Sequence, residues 1–137
     1  MNQVKVKNDE MIRLIIEALE HKQKAKFKVT GSSMRPFFNH GKTTVTLSNI
    51  DNLATGDIIL FEYQNQYLLH RIIKFKDEQI IAQGDALSSK EMIKKNNVIG
   101  VVVSYNNGSK DIDIHSFWYV LKVKLWRIVK AIFIRKR

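Results

Sequence analysis

Ser33 stands in Gly31-Ser32-Ser33-Met34-Arg35-Pro36, just ahead of the only proline in the chain. A serine hydroxyl becomes a useful nucleophile when a neighbouring base takes its proton, and a third group commonly orients that base. Two later segments hold side chains of those kinds: Leu69-His70-Arg71 and Gln83-Gly84-Asp85. In Tyr67 to Ile73 strand alternation puts Leu68, His70 and Ile72 on one face. A histidine between two aliphatics is partly desolvated, which favours the neutral imidazole that a general base must be. Gly84-Asp85 ends an apolar run in a turn, from which a carboxylate can hydrogen-bond the imidazole and set its tautomer. Each residue also has a bland reading: a serine in a solvated turn, a satisfied core histidine, an aspartate closing its own turn. Their joint occurrence in this order is what points to chemistry.

The 137 residues suffice for one domain with a real core. With no cysteine there is no disulfide framework and no thiolate, so covalent catalysis must use Ser, Thr or Lys. No metal-ligand spacing and no phosphate loop occurs, and neither a metal nor another cofactor is expected. Of the 23 basic residues seven lie in 116–137, which holds no acid, so the net charge of +10 belongs mostly to the tail. The first twenty residues lack a signal-peptide layout, because Asp9, Glu10, Glu17 and Glu20 interrupt it.

The positioning elements follow from periodicity. Asn8 can cap a helix over 9–24 with Ile12, Ile15, Ile16 and Leu19 at helical spacing. Lys26 to Thr30 alternates as a strand and delivers the chain to Gly31, and Thr43 to Leu47 is rich in β-branched residues. Further strands are expected at 58–61, 67–73 and 79–83, with a hairpin formed by 98–105 and 111–115 around Asn106-Asn107-Gly108-Ser109. The expected fold is mainly β, an antiparallel, partly closed domain over 26–115, with an N-terminal helix in 1–25 and a C-terminal amphipathic helix in 116–137.

Gly-x-Ser-Met-x-Pro at 31–36, Thr55-Gly56-Asp57-Ile58-Ile59, His70-Arg71, Gly84-Asp85-Ala86 and Asn97-Val98-Ile99-Gly100 appear in the order found in the signal peptidase I superfamily, which this chain resembles over about residues 26–103. That superfamily includes the self-cleaving repressor domains. The resemblance implies a β-rich catalytic core with Ser33 as nucleophile. His70 occupies the slot where bacterial members carry a lysine, as in the histidine branch. It also implies Asp85 as the acidic partner, with Glu91 near where another acid is often found. Gly31 replaces a serine that helps stabilise the oxyanion in many members, so the oxyanion hole is expected to rest on backbone N–H groups at Ser33 and Gly31. Lys42 replaces a frequent Asp, Ser88-Ser89-Lys90 departs from the pattern, and the N-terminal anchor usual in signal peptidases is replaced by a short amphipathic helix.

The function expected is a serine endopeptidase that cuts a peptide or protein precursor, bound as an added strand with small residues before the cut. Its rivals are a DNA-binding relative of the self-cleaving repressors, disfavoured because 1–25 holds one helix where a helix-turn-helix needs two, and an inactive scaffold of the same fold. Nucleic acid is thus not an expected partner. From Phe117 to Ile134 fourteen of eighteen residues are apolar, yet Lys122, Lys124, Arg127 and Lys130 make spanning a membrane unfavourable. On a helical wheel Lys122, Arg127 and Lys130 share an arc of about 140°, with Lys124 about 60° beyond its edge, and a broad apolar face is expected to include Trp118, Leu125, Trp126 and Ile132. That pattern suits peripheral association with an anionic membrane, expected on the cytoplasmic side, or packing on the protein's own core.

Overall fold

The computed structural model describes residues 9–135, and Asn8 and its expected cap lie outside them. The first helix, α1, spans Asp9–Glu20 and buries Ile12, Ile15 and Leu19, the stripe its periodicity marks. It stops four residues short of expectation. Lys22 turns left-handed at φ 58 and the Gln23 N–H reaches back to the Ala18 carbonyl at 2.9 Å, which closes the helix end and aims the chain at the sheet.

Eight strands follow: β1 Ala25–Lys28, β2 Thr44–Ser48, β3 Ile58–Tyr63, β4 Gln66–Lys76, β5 Gln79–Gln83, β6 Glu91–Lys94, β7 Val98–Asn106 and β8 Asp111–Asp113. They form one antiparallel sheet in the order β1-β2-β7-β3-β4-β5-β6, with β8 paired to β7. The sheet does not close into a barrel; β1 and β6 are left at opposite ends of that path. The mainly β class and both helices agree with the sequence expectation. One strand is absent from that expectation: β6, whose Glu-Met-Ile-Lys carries charge at both ends and has Glu91 and Ile93 buried with Met92 and Lys94 exposed. A buried glutamate inverts the apolar-in pattern from which strands are read, so periodicity alone passes over it.

The sheet is covered on both faces. Ile58, Leu60 and Leu69 join α1, Met34, Phe38 and Tyr119 in one cluster, while Ile59, Phe61, Leu68, Ile72, Ala82 and Ile93 form a second. In the β3–β4 ladder Ile59 opposes His70 and Ile58 opposes Arg71, so His70 belongs to the second face and Arg71 to the first. Gly100 of β7 is needed where α1 crosses: a Cβ there would lie 2.9 Å from Leu19 Cδ1 and 3.2 Å from the Ser48 carbonyl.

The C-terminal helix, α2, spans Phe117–Arg135. Its body-facing stripe is Tyr119, Val123, Trp126 and Lys130, spaced four, three and four residues apart. Tyr119 is buried with its ring edge-on to Phe37 at 5.5 Å and to Tyr105 at 5.6 Å. Trp126, assigned from the wheel to the outer apolar face, is therefore turned inward, and so is Lys130. At about 100° per residue Trp126 lies about 20° from Tyr119 and between Lys122 and Lys130, so a helix that buries Tyr119 turns Trp126 and Lys130 inward with it, and two hydrogen bonds to the body fix that rotation.

Candidate active site

The loop from Gly31 to His40 is tied at its base before it presents any side chain. Val29 N–H donates to the Thr43 carbonyl (2.9 Å), Gly41 N–H to the Val29 carbonyl (3.0 Å), and Gly31 N–H to His40 Nδ1 (2.9 Å). Gly31, expected to supply an oxyanion donor, thus has its N–H engaged by His40. Within the loop Met34 and Phe38 are fully buried, and the Phe38 N–H closes a turn on the Met34 carbonyl at 2.9 Å. Met34 acts as an anchor that fixes the residue before it.

That residue, Ser33, has its Oγ 3.2 Å from His70 Nε2, and His70 Nδ1 lies 2.5 Å from Glu91 Oε1. A carboxylate can only accept, so Nδ1 carries the proton and Nε2 presents its lone pair to the serine hydroxyl. Ser33, His70 and Glu91 are all buried, and Phe61 meets the imidazole edge-on at 5.9 Å. Glu91 reaches the imidazole from two strands away: Ile72 pairs with Ala82 and Ala82 with Glu91, which puts all three on the face that carries His70.

Asp85 lies elsewhere than the sequence reading put it. Its carboxylate takes two parallel hydrogen bonds from Arg71, Nε to Oδ1 at 2.8 Å and Nη2 to Oδ2 at 2.7 Å, and no hydrogen bond joins it to His70. Adjacent residues on a strand point to opposite faces, so Arg71, not His70, meets the turn after β5 from its own side. Arg71 also donates to the Gly56 carbonyl (2.9 Å) and to the Tyr119 hydroxyl (2.8 Å). Desolvation works against the buried cation, but the hydrogen bonds and charge of Asp85 outweigh it and hold the guanidinium pKa above its usual value. Burial raises the Tyr119 pKa, against the pull of Arg71, and keeps its hydroxyl neutral.

The two most diagnostic segments dock on each other. Ala86 N–H donates to the Ser33 carbonyl at 2.8 Å and Asp85 N–H points at Met34 Sδ at 3.3 Å. Gly84 lets them meet, since a Cβ there would lie 2.7 Å from the Ser33 carbonyl oxygen, a backbone atom that cannot swing aside. Gly84→Ala is expected to displace Ser33 and lower kcat by about 100-fold, the scale on which an ångström of misplacement acts, while far-ultraviolet circular dichroism stays native. Steady-state kinetics with a cleaved peptide checks this, and unchanged kcat would show that the loop absorbs the methyl group.

Arg71 and the α2 contacts were missed by sequence reasoning as site-supporting residues. Arg71 carried a signal, being charged and next to a candidate base in an otherwise apolar strand. Tyr119 and Trp126 carried none, because nothing local relates them to residues more than thirty positions earlier. Trp126 Nε1 donates to the Asp85 carbonyl at 2.8 Å and Lys130 Nζ to the Gly84 carbonyl at 3.3 Å. Beside Ser33 a cleft of about 410 Å³ is lined by Ser32, Arg35, Pro36, Ala86 and Trp126. Among the described residues no three His, Asp or Glu side chains are grouped so as to hold a metal ion.

The arrangement is a serine hydroxyl, an imidazole and a carboxylate in hydrogen-bonded line on an open antiparallel sheet. The Peptidase S24-like family model matches residues 2–103, and the chain belongs to that family, within the S24 and signal peptidase I-like superfamily. The family is one of serine peptidases and self-cleaving repressor-like proteins. No individual curated protein matches the chain. The matched stretch holds Ser33, His70, Arg71, Asp85 and Glu91 and ends before β8 and α2.

Proposed function

We propose that the protein is a serine endopeptidase that cleaves a peptide or protein precursor, with Ser33 as nucleophile, His70 as general base and Glu91 as the group that orients it. The observation that carries this reading is the unbroken line from Ser33 Oγ through both imidazole nitrogens to Glu91 Oε1. In the first step Ser33 Oγ bonds to the scissile carbonyl carbon and its proton passes to His70 Nε2. His70 then gives that proton to the departing amine as the C–N bond breaks, leaving an acyl-Ser33 ester. A water, deprotonated by the same nitrogen, hydrolyses the ester and regenerates the hydroxyl. Glu91 keeps the proton on Nδ1 and stabilises the imidazolium formed in each half-reaction. Asp85 acts one step further out, holding Arg71 with its carboxylate and Met34 Sδ with its backbone N–H, next to the Ala86 N–H that holds the Ser33 carbonyl.

Incubation of the purified protein with a fluorophosphonate and with a peptide library tests the reading. The expected results are a covalent adduct mapped by mass spectrometry to Ser33 and a restricted set of cut sites in the library. An adduct confined to other serines, together with an uncut library, would leave the triad as a packing feature.

The division of labour between the two acids gives a sharper check. Glu91→Gln is expected to lower kcat by roughly 10⁴-fold, the loss that follows when an orienting carboxylate becomes an amide and the wrong tautomer is held. The fold should survive, because the amide still offers a hydrogen-bonding partner to the imidazole. Wild-type turnover by Glu91→Gln would remove Glu91 from the mechanism.

A further inference from the structure

The outward side of α2 is unusual for a surface helix. Over residues 117–134, at about 100° per residue, the positions from Phe117 through Ile128, Leu121, Ile132 and Leu125 to Trp118 fill an uninterrupted apolar arc of about 100°. None of these side chains is covered: Trp118 is 69 % exposed, Ile128 59 % and Leu125 55 %. The arc lies opposite the Tyr119–Trp126 stripe, so rotation of the helix cannot bury it without breaking the Trp126 and Lys130 hydrogen bonds to the Asp85 and Gly84 carbonyls. Lys124 borders one edge of the arc and Lys122 stands beyond the other.

We propose that α2 seats the protein on an anionic lipid bilayer, with this arc in the interfacial layer and Lys122 and Lys124 reaching back along its edges to lipid phosphates. No helix among the described residues is long and apolar enough to cross a membrane, so the geometry is that of a helix lying in the surface plane. Charge decides the occupant. A second copy pairing through the same arc would bring like cations together along both edges, and residues 116–137 contain no acid to offset them. An anionic surface answers every one of those cations. Trp118 takes the headgroup depth that amphipathic rings prefer. The proposal goes beyond the peptidase reading and stands without it. If both hold, the Gly84-Asp85-Ala86 turn is fixed to the opposite side of the same helix, and the site works within about one helix diameter of the lipid surface, on peptide bonds close to a membrane.

The test uses the full chain and needs no turnover. Flotation with mixed phosphatidylglycerol–phosphatidylcholine vesicles should carry the protein upward, pure phosphatidylcholine vesicles should carry far less, and added salt should weaken the difference. Tryptophan emission should shift to the blue on the anionic vesicles in the wild type and lose most of that shift in Trp118→Phe. Paired replacement Leu125→Gln with Ile128→Gln, at exposed positions outside the site, should weaken partitioning at least about tenfold while the thermal melt stays native. Lys122→Gln with Lys124→Gln should weaken the preference for anionic lipid. Failure of the wild type to float with anionic vesicles overturns the proposal. So does a stable dimer in sedimentation that the Leu125 and Ile128 replacements dissociate, since the arc would then be a self-association surface.

Discussion

Ser33→Ala is expected to abolish the proposed peptide cleavage, with kcat falling by about 10⁶, the loss seen when a nucleophile that works as a unit with its base is removed. Ser32→Ala is expected to retain substantial activity. The two serines are adjacent, but only Ser33 has its Oγ at His70 Nε2, while Ser32 lines the neighbouring cleft. The contrast is informative because both substitutions remove one hydroxyl from the same loop, so a general disturbance of the loop would lower both. Product formation followed by mass spectrometry, with the thermal melt of each variant as control, separates the cases. Equal turnover in wild type and Ser33→Ala would end the enzymatic reading.

The second large effect is on stability and falls on Asp85. Both partners of the Arg71–Asp85 pair are buried and the guanidinium makes four hydrogen bonds, so Asp85→Asn leaves a cation without its counter-charge in the core. Breaking a buried pair by neutralising one member costs about 3–5 kcal/mol. In a domain of this size that lowers Tm by about 10 °C or more. Cleavage by the fraction still folded at low temperature should fall far less than in Glu91→Gln. The pair of variants distinguishes the acids by opposite signatures: Asp85→Asn is fragile with chemistry largely retained, and Glu91→Gln is stable with chemistry lost. Calorimetry and low-temperature kinetics on both variants check this, and a stable but inactive Asp85→Asn would return Asp85 to the role first read from the sequence.

Residue order and spacing made much of this molecule legible. The stripe in α1, the alternation around Phe27 and Val29, and the apolar runs of β3 and β5 each mark an element from its own residues, because burial of one face imposes a local period. Ser33 and His70 were legible for a different reason. Their flanking Met34 and Arg71, and the Gly84-Asp85 turn, are the parts that dock the nucleophile loop onto the sheet, so the segments occur together because the packing requires all of them. β6 was not legible, since its buried glutamate reads as solvent-facing.

By itself the sequence determined a cysteine-free β domain, a serine and a histidine fit to act together, and a basic, apolar tail. The first and last of these follow from residue types and short-range periodicity, and the pairing of serine with histidine from the order of the segments that resemble the family. The tertiary structure decided which acid serves which partner: along β4 neighbouring side chains point to opposite faces, so His70 meets Glu91 across the Ile72–Ala82–Glu91 ladder while Arg71 takes Asp85 on the other side. It also decided the rotation of α2, where hydrogen bonds from Trp126 and Lys130 to the Asp85 and Gly84 carbonyls outrank hydropathy and leave an apolar arc facing away from the protein. Both outcomes depend on contacts between residues fourteen to nearly fifty positions apart, and local sequence carries no physical record of such pairings.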